Sequence, residues 1–436
     1  MTPTQKKGST RTWLLFGGAG AIALASAIIL LWPRTSTIID PTVSAKPVEP
    51  AIPVIPHISG DPEKPQDPPT PKIAEPQPPA PPQRPAVQRP VERPKVDVVF
   101  VLDTTGSMGG LLEGAKKKIW SIASHIATGK PTPELRVGLV AYRDRGDAYV
   151  TKVFPLTSNL DEVYGNLQGF RAAGGGDEPE DVKQALMDGI RKMSWTPGKN
   201  LRLMFLVGDA PAHEDYDDQP SMSAITAEAT QKGIIINTVR CGGSEVTAAS
   251  WKAIAQASGG DFSSIAQDGG MMAAVHTPMD ARLGELNAKL SGTAVYVGTA
   301  PKRAAAAKRA ETNSAMEGSL KADSARYRAM SGHVDSDDLV TQVALGKARI
   351  EDVSEEALPE PMQAMSVSER KAYVADQKAE RERLSAEVIA LSKERDEYLR
   401  RSAPASPKKG SASFDAEVGG TISKQAKKVG ISYKAD

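Results

Sequence analysis

Short apolar runs rich in β-branched residues alternate with helical patterns between residues 96 and 290, and this alternation constrains the fold more than any other feature. The runs are Val96–Leu102, Leu135–Tyr142, Tyr149–Phe154, Leu201–Val207 and Gly233–Val239. The helical patterns cover about 109–128, 158–169, 178–193, 220–231, 248–257 and 269–290. Continuous apolar character over so few residues is typical of buried parallel strands. Strands separated by helices predict an α/β fold, a doubly wound and mostly parallel sheet covered by helices on both faces.

Polar residues follow two of these strands and occupy one loop before a helix. Asp103, Thr105 and Ser107 come directly after the first strand, Asp177 follows three glycines, and Asp209 follows the fourth strand. Doubly wound sheets bind ligands at the carboxyl ends of their strands, near the point where the strand order reverses. Carboxylates and hydroxyls are hard oxygen donors that suit Mg²⁺, Ca²⁺ or Mn²⁺. We therefore predict a divalent metal cation, with Mg²⁺ as the first choice, at this edge of the sheet.

These three loops, in this order, resemble the von Willebrand factor type A domain over residues 96–298. The metal-ion-dependent adhesion site of that family uses an Asp-x-Ser-x-Ser loop, a second-loop Thr and a third-loop Asp. The resemblance implies that Asp103, Thr105 and Ser107 are first-loop metal ligands and that Asp209 binds directly or through water. It also implies recognition of a protein partner through the metal face.

Two positions depart from the family pattern. Thr105 stands in place of Ser and keeps the hydroxyl, whereas Asp177 stands where the family has Thr. A third carboxylate would weaken the attraction of the cation for a carboxylate of the partner. Asp177 has a second interpretation, because Asp is a good N-cap and Pro suits the first turn of a helix opened by Glu178-Pro179-Glu180. Metal contact and helix capping both stay open for Asp177.

The N-terminal part of the chain predicts a membrane anchor and a spacer. Residues 13–32 carry no charge and are long enough to span a bilayer as one helix, while the basic residues in 1–12 favour a cytoplasmic N-terminus. A cleaved signal peptide is the alternative, because Ala25-Ser26-Ala27 resembles a cleavage site. Residues 33–95 hold 19 of the 33 prolines and predict a disordered, extended linker. We expect a single-pass cell-membrane protein with a periplasmic or extracellular bulk.

The C-terminal region 299–436 predicts helices. Residues 366–402 form a long charged helix that starts with a capping box at Ser366 and Glu369. Its narrow apolar stripe includes Leu384 and Val388, which is compatible with a coiled coil or with packing on the same chain. We expect this helix to be a second surface for protein partners if it is not packed.

The charge balance and the motifs exclude several functions. The chain has 54 Lys+Arg against 53 Asp+Glu, and this near-neutrality argues against nucleic acid as a partner. No P-loop triplet or nucleophile elbow occurs in the domain, and Thr105 stands where haloacid-dehalogenase-type phosphatases need a second Asp. We expect a non-enzymatic, membrane-tethered extracytoplasmic protein that binds a protein partner through its metal site. The alternatives are an envelope scaffold with a closed structural metal site and a metal-dependent hydrolase with His213 as its base.

Overall fold

The computed structural model of the chain describes residues 93–176, 178–270, 275–402 and 413–433. The predicted segments 1–12 and 13–32, nearly all of the linker 33–95, and Asp177 lie outside the described residues. Within the described ranges, no helix combines the length and the apolar character that crossing a bilayer requires. The chain divides into two units, Met1–Gln83 and Arg84–Asp436, and every described residue belongs to the second unit.

A six-stranded sheet forms the centre of this unit. Its strands are β1 Lys95–Asp103, β2 Glu134–Tyr142, β3 Thr151–Thr157, β4 Leu201–Gly208, β5 Ile234–Cys241 and β6 Phe262–Ile265. The spatial order is β3-β2-β1-β4-β5-β6. All neighbouring strands are parallel except β3, which runs antiparallel to β2. The order therefore reverses between β1 and β4, as a doubly wound sheet requires, and the predicted fold class of this region is confirmed.

Helices cover both faces of the sheet and continue beyond it. Their bounds are α1 Gly109–Ala127, α2 Leu160–Gln168, α3 Val182–Arg191, α4 Met222–Gln231, α5 Glu245–Ala257, α6 Asp280–Gly292, α7 Ala300–Ser314, α8 Gly318–Ser331, α9 Leu339–Ala344, α10 Glu360–Gln363, α11 Val367–Ser402 and α12 Phe414–Ala426. Side chains of β1 alternate between two apolar clusters, with Phe100 and Leu102 on the α1 face and Val99 and Val101 on the α3 face. This alternation explains why β1 is apolar at nearly every position.

Two of the predicted helices begin later than the sequence pattern indicates. The pattern at 178–193 is helical only from Val182, and the pattern at 269–290 is helical only from Asp280. Asp181 is the N-cap of α3, and its side chain accepts a hydrogen bond from the Gln184 backbone N–H. The predicted helix start at Glu178-Pro179-Glu180 is therefore wrong, and the cap of α3 is Asp181.

The last helix of the described chain belongs to the core of the sheet unit. Phe414, Val418 and Ile422 of α12 are buried in the same apolar cluster as α1 and β1. The Phe414 ring lies 6.0 Å from the ring of Phe100 in the central strand. A backbone hydrogen bond from Ser432 N–H to the carbonyl of Lys130 ties the following residues to the end of α1. One face of the sheet is thus completed by residues far along the chain.

The long helix α11 packs on its own chain. Leu384 and Val388 share an apolar cluster with α6 and α8. On the same side, Arg381 contacts the carboxylate of Asp338, and Arg395 contacts that of Asp280, each at 2.8 Å. The predicted capping box is present, since the Glu369 N–H donates to Ser366 Oγ and the Ser366 N–H donates to the Glu369 carboxylate. The apolar stripe is therefore covered within the chain and does not form a coiled coil there.

Candidate metal centre

Asp103 lies at the point where the strand order reverses. It is the last residue of β1, and its neighbouring strand β4 ends at Gly208, one residue before Asp209. The parallel register brings the ends of these two strands to the same edge of the sheet. The sequence prediction that the first and third loops meet at this edge is therefore supported by the topology.

The two carboxylate oxygens of Asp103 have different surroundings. Oδ1 accepts hydrogen bonds from the Thr105 backbone N–H at 2.8 Å and from the Thr105 hydroxyl at 2.7 Å. Oδ2 is buried and has no hydrogen-bond partner. Burial raises the pKa of Asp103 to about 7, with a smaller contribution from the charge of Asp209, although the bonds from Thr105 oppose the shift. A buried carboxylate oxygen without a partner is costly, so this atom calls for a proton or a cation.

The first loop places two hydroxyls beside Asp103. Thr105 is buried and its Oγ1 lies 3.3 Å from Oγ of Ser107, which is exposed. Gly175 of the second loop lies against Thr105 with φ +71°, and a Cβ there would be 2.7 Å from the Thr105 Cβ. Only glycine allows the backbone to approach this closely in the left-handed region. The two hydroxyl oxygens predicted to bind the cation, those of Thr105 and Ser107, therefore lie side by side at this edge of the sheet.

Asp209 is held toward the first loop by a residue that the sequence analysis missed. Gln267, which follows the edge strand β6, donates to Asp209 Oδ2 at 2.6 Å and to the Ser107 carbonyl at 3.3 Å. A lone Gln after a short polar strand carries no recognisable motif. The side-chain amide of Gln267 links the first and third loops at the edge where the cation is predicted.

Glu180 is a second residue whose role the sequence did not reveal. Its backbone N–H donates to the Pro211 carbonyl, and its own carbonyl accepts from the His213 N–H. The side chain is buried, and Oε2 has no hydrogen-bond partner. Burial raises the pKa of Glu180 to about 9, and the negative charges of Asp103, Asp144, Asp147 and Asp209 act in the same direction.

A tyrosine and an arginine complete the inner wall of the site. A Cβ on Gly208 would lie 2.5 Å from the Tyr142 hydroxyl and 3.0 Å from Asp103 Oδ2, so these two oxygens are near neighbours. The Tyr142 hydroxyl is buried without a partner. Arg143 is buried and donates to the carbonyls of Thr104 and Arg171, which fixes the first loop against the second. Both Arg143 and the following Asp144 are buried, although they belong to a stretch rich in charged residues.

The donor set of the described residues fits a hard divalent cation. It consists of the Asp103 and Asp209 carboxylates and the Thr105 and Ser107 hydroxyls, with Asp103 Oδ2 lacking any protein partner. Among the residues that the structure describes, no three His, Cys, Asp or Glu side chains are grouped as a metal site would need. A cation here would therefore depend on the hydroxyls as well as on the carboxylates.

Comparisons with known proteins find similarity over the part of the chain that contains these loops. The sequence model described as von Willebrand factor A domain matches residues 97–277. The chain is 31% identical over 119 residues to the alpha-protein kinase vwkA of Dictyostelium discoideum, covering 27% of this chain and 19% of that protein. It is 38% identical over 96 residues to the human von Willebrand factor A domain-containing protein 7, covering 21% of this chain and 10% of that protein.

Solved structures that resemble part of this chain include a von Willebrand factor A domain. The VWA domain of SpRpn10 is 13% identical to this chain, with a TM-score of 0.31, and the match covers 40% of this chain and 89% of that one. The chain spans between 10% and 19% of the length of the curated relatives that it matches. The family model, together with the doubly wound sheet and its three loops, leads to one conclusion: residues 97–277 form a von Willebrand factor A domain.

Proposed function

We propose that this chain is a membrane-tethered extracytoplasmic protein that binds a protein partner through a divalent cation, with Mg²⁺ as the first choice. Von Willebrand factor A domains generally mediate protein–protein interaction, often with a metal. Residues 13–32 are the segment proposed to lie in the cell membrane, with the N-terminus in the cytoplasm. No nucleic acid and no catalysed reaction are part of this proposal.

The buried Oδ2 of Asp103 is the observation that carries the proposal. It has no partner in the described structure, although the other oxygen of the same carboxylate accepts two hydrogen bonds. Asp103, Thr105, Ser107 and Asp209 would hold the cation. When bound, the cation would supply a positive charge and a coordination position for an oxygen of the partner. Thr105 holds the Asp103 carboxylate in place through its two hydrogen bonds. Ser107 is exposed, so it lies where a partner would approach the site from solvent.

The competing hypothesis is a scaffold protein in which the metal site is closed and purely structural. Ser107 is exposed and Asp209 is only partly buried, which supports a site that a partner can reach from solvent. The apolar stripe of the long helix α11 is packed on α6 and α8, so this stripe is not free to bind a partner. Both observations favour the metal edge as the binding surface.

The contacts of His213 support a binding protein over a hydrolase. Its ring stacks on Tyr216 at 4.1 Å, and Nδ1 lies 2.7 Å from the Asp215 carboxylate. The other ring nitrogen faces Asp144 at 3.4 Å. The His213 ring is thus held in place by Tyr216 and lies between the carboxylates of Asp144 and Asp215. We therefore propose a structural role for the residue that the hydrolase alternative uses as its base.

A capture experiment with the full chain in detergent tests the proposal. Wild type, Asp103→Asn and the control Asp376→Asn, which is exposed on α11, are immobilised and incubated with an envelope extract in Mg²⁺ or in EDTA. We expect wild type and the control to retain the same partner in Mg²⁺ only, and Asp103→Asn to retain none. A partner that all three chains hold equally in EDTA would contradict the proposal.

A further inference from the structure

We propose that the groove between α4 and α5 is a docking site for a basic amphipathic helix of a protein partner. The groove holds about 600 Å³, and its lining contains none of the residues assigned to the cation. The inference goes beyond the proposed function, because it assigns a second surface and the chemistry of the segment that fits it. The observations that carry it are the shape of the groove, its exposed apolar wall and the acidic charge at one end.

Small side chains on two neighbouring helices form the groove. Its α5 wall consists mainly of residues that recur every three or four positions along one face of the helix: Val246, Ser250, Ala253 and Ala257. Met222, Ser223 and Thr226 of α4 line the other wall. Because most of these side chains are no larger than valine, the space between the helices stays open. From Val246 to Ala257 the groove is roughly 16 Å long, which corresponds to three turns of a helix laid along it.

The groove is lined mostly by apolar atoms and opens to solvent. Val246 on its α5 wall is 69% exposed, more than any other large apolar side chain in the described ranges. Ala253 and Ala257 on the same wall are also exposed. An exposed apolar patch bordered by polar residues is typical of a protein interaction site. The apolar face of an amphipathic helix would remove Val246 and its neighbours from water, as in other complexes in which a helix binds in a groove.

One end of the groove is acidic. Glu214 of the third loop lines it and is 71% exposed, and Glu245, next to Val246, is 85% exposed. The bases that pair with these acids, Lys183 and Arg240, are largely buried. The carboxylates are therefore the charges that this end of the groove presents to solvent.

The sequence that contains the third loop and α4 has the same sign of charge. Residues 203–231 hold six acidic residues and no lysine or arginine, although the whole chain is close to neutral. Such a field attracts a basic segment and repels an acidic one. The occupant is therefore a helix whose apolar residues face the groove and whose lysines or arginines lie toward the third loop.

A binding titration with the full chain in detergent tests the inference. The probe is a fluorescent peptide of about three helical turns, with leucines at the spacing of one helical face and lysines at the other positions. A second peptide carries glutamate at every lysine position. The detergent concentration is fixed, so that micelles contribute equally to every titration. We expect wild type to bind the lysine peptide roughly tenfold or more tightly than the glutamate peptide, in EDTA as well as in Mg²⁺.

Two matched substitutions on α5 locate the binding site. Ala253 lines the groove, and Ala249 is exposed on the same helix outside it. Ala253→Arg fills the groove with a long cation and should weaken binding of the lysine peptide by roughly tenfold or more. Ala249→Arg should bind the peptide as wild type does. Because both residues are exposed, thermal melting should give the stability of wild type for each variant.

Three titration results would overturn the inference. They are equal affinity of Ala253→Arg and Ala249→Arg for the lysine peptide, equal affinity of wild type for the two peptides, and no binding of wild type to either. Sedimentation of the chain alone adds a fourth, because a wild-type dimer that Ala253→Arg dissociates would make a second copy the occupant. Asp103→Asn should bind the lysine peptide as wild type does, so failure of the metal site and failure of the groove give different results.

Discussion

Arg328 on α8 donates two hydrogen bonds, of 2.9 and 2.8 Å, to the two carboxylate oxygens of Asp161 on α2. Both side chains are buried, and burial raises the pKa of Asp161 although the charge of Arg328 opposes the shift. The same guanidinium also donates to Asn287 on α6 at 2.8 Å. One arginine thus joins the C-terminal helices to a helix of the von Willebrand factor A domain.

Removing this arginine should destabilise the protein strongly. Arg328→Met leaves the Asp161 carboxylate buried without its partner, which should lower the free energy of unfolding by about 3–5 kcal/mol. Adding Asp161→Asn to the same chain should restore part of the loss, because the stranded charge is gone. Denaturant unfolding measures both changes. Arg349→Met, at a side chain that is 71% exposed, is the control, and a loss for Arg328→Met no larger than for this control would contradict the account.

The core needs α12 to be stable. Ile422→Ala removes a fully buried side chain from the cluster that contains β1 and α1 and should cost about 2–5 kcal/mol. Val246→Ala, at a residue 69% exposed, should cost less than about 0.5 kcal/mol. A chain that ends at Ser402 loses Phe414, Val418 and Ile422 together, and we expect it to unfold at a much lower denaturant concentration. An unchanged midpoint for that chain would show that α12 is dispensable.

Acidification should destabilise the protein partly through His333. Burial lowers the pKa of His333 from its ordinary 6.5 to about 4, and the charge of Lys347 acts in the same direction. Between these two pH values, His333 is protonated in the unfolded chain but stays neutral in the folded chain. Stability is therefore complete above pH 6.5 and is lost as the pH falls toward 4, by up to about 3 kcal/mol.

The comparison of two histidine variants isolates this effect. His333→Gln should lose less stability than wild type between pH 6.5 and 4, whereas the same substitution at the exposed His276 should follow wild type. Denaturant unfolding at a series of pH values gives both profiles. Parallel profiles for wild type and His333→Gln would assign the acid sensitivity to other groups.

The glycines of the second loop should differ sharply in their tolerance of a side chain. Gly175 has φ +71°, and an added Cβ would collide with Thr105, whereas an added Cβ on Gly176 meets no atom within 4 Å. Gly175→Ala should therefore cost about 1–3 kcal/mol and weaken Mn²⁺ binding, because it displaces a hydroxyl donor. Gly176→Ala should behave as wild type in melting and in titration calorimetry. Equal tolerance of both substitutions would mean that Thr105 is not held by this contact.

The sequence predicted the sheet well because buried parallel strands have a clear pattern. Four of the five predicted strands, including β1 and β4, lie within two residues of their predicted bounds, and β3 is displaced toward the C-terminus. The edge strand β6 was missed, because it has four residues and two of them are Ser263 and Ser264. Its polar side chains give neither an apolar run nor an alternation.

From the sequence, only those residues of the candidate site that belong to a recognisable motif could be predicted. Asp103, Thr105, Ser107 and Asp209 follow strands and have a recognisable spacing, whereas Gln267 and Glu180 reach the site through the fold alone. The burial of two arginines of α11 could not be predicted either, for a different reason. In the sequence, Arg381 and Arg395 are two of many charged residues in this helix, although each is paired with a buried carboxylate. Pairing across distant parts of the chain leaves no local pattern.

Diffraction at the manganese absorption edge, from crystals of the chain grown in Mn²⁺, tests the central claim most directly. The account predicts one anomalous peak at the carboxyl edge of the sheet, in contact with Asp103 Oδ2 and with the hydroxyl of Thr105 or Ser107. The peak should be absent from crystals of Asp103→Asn grown in the same solution. A well-ordered edge with no peak in the wild-type crystals, and Asp103 Oδ2 still enclosed by protein atoms alone, would contradict it.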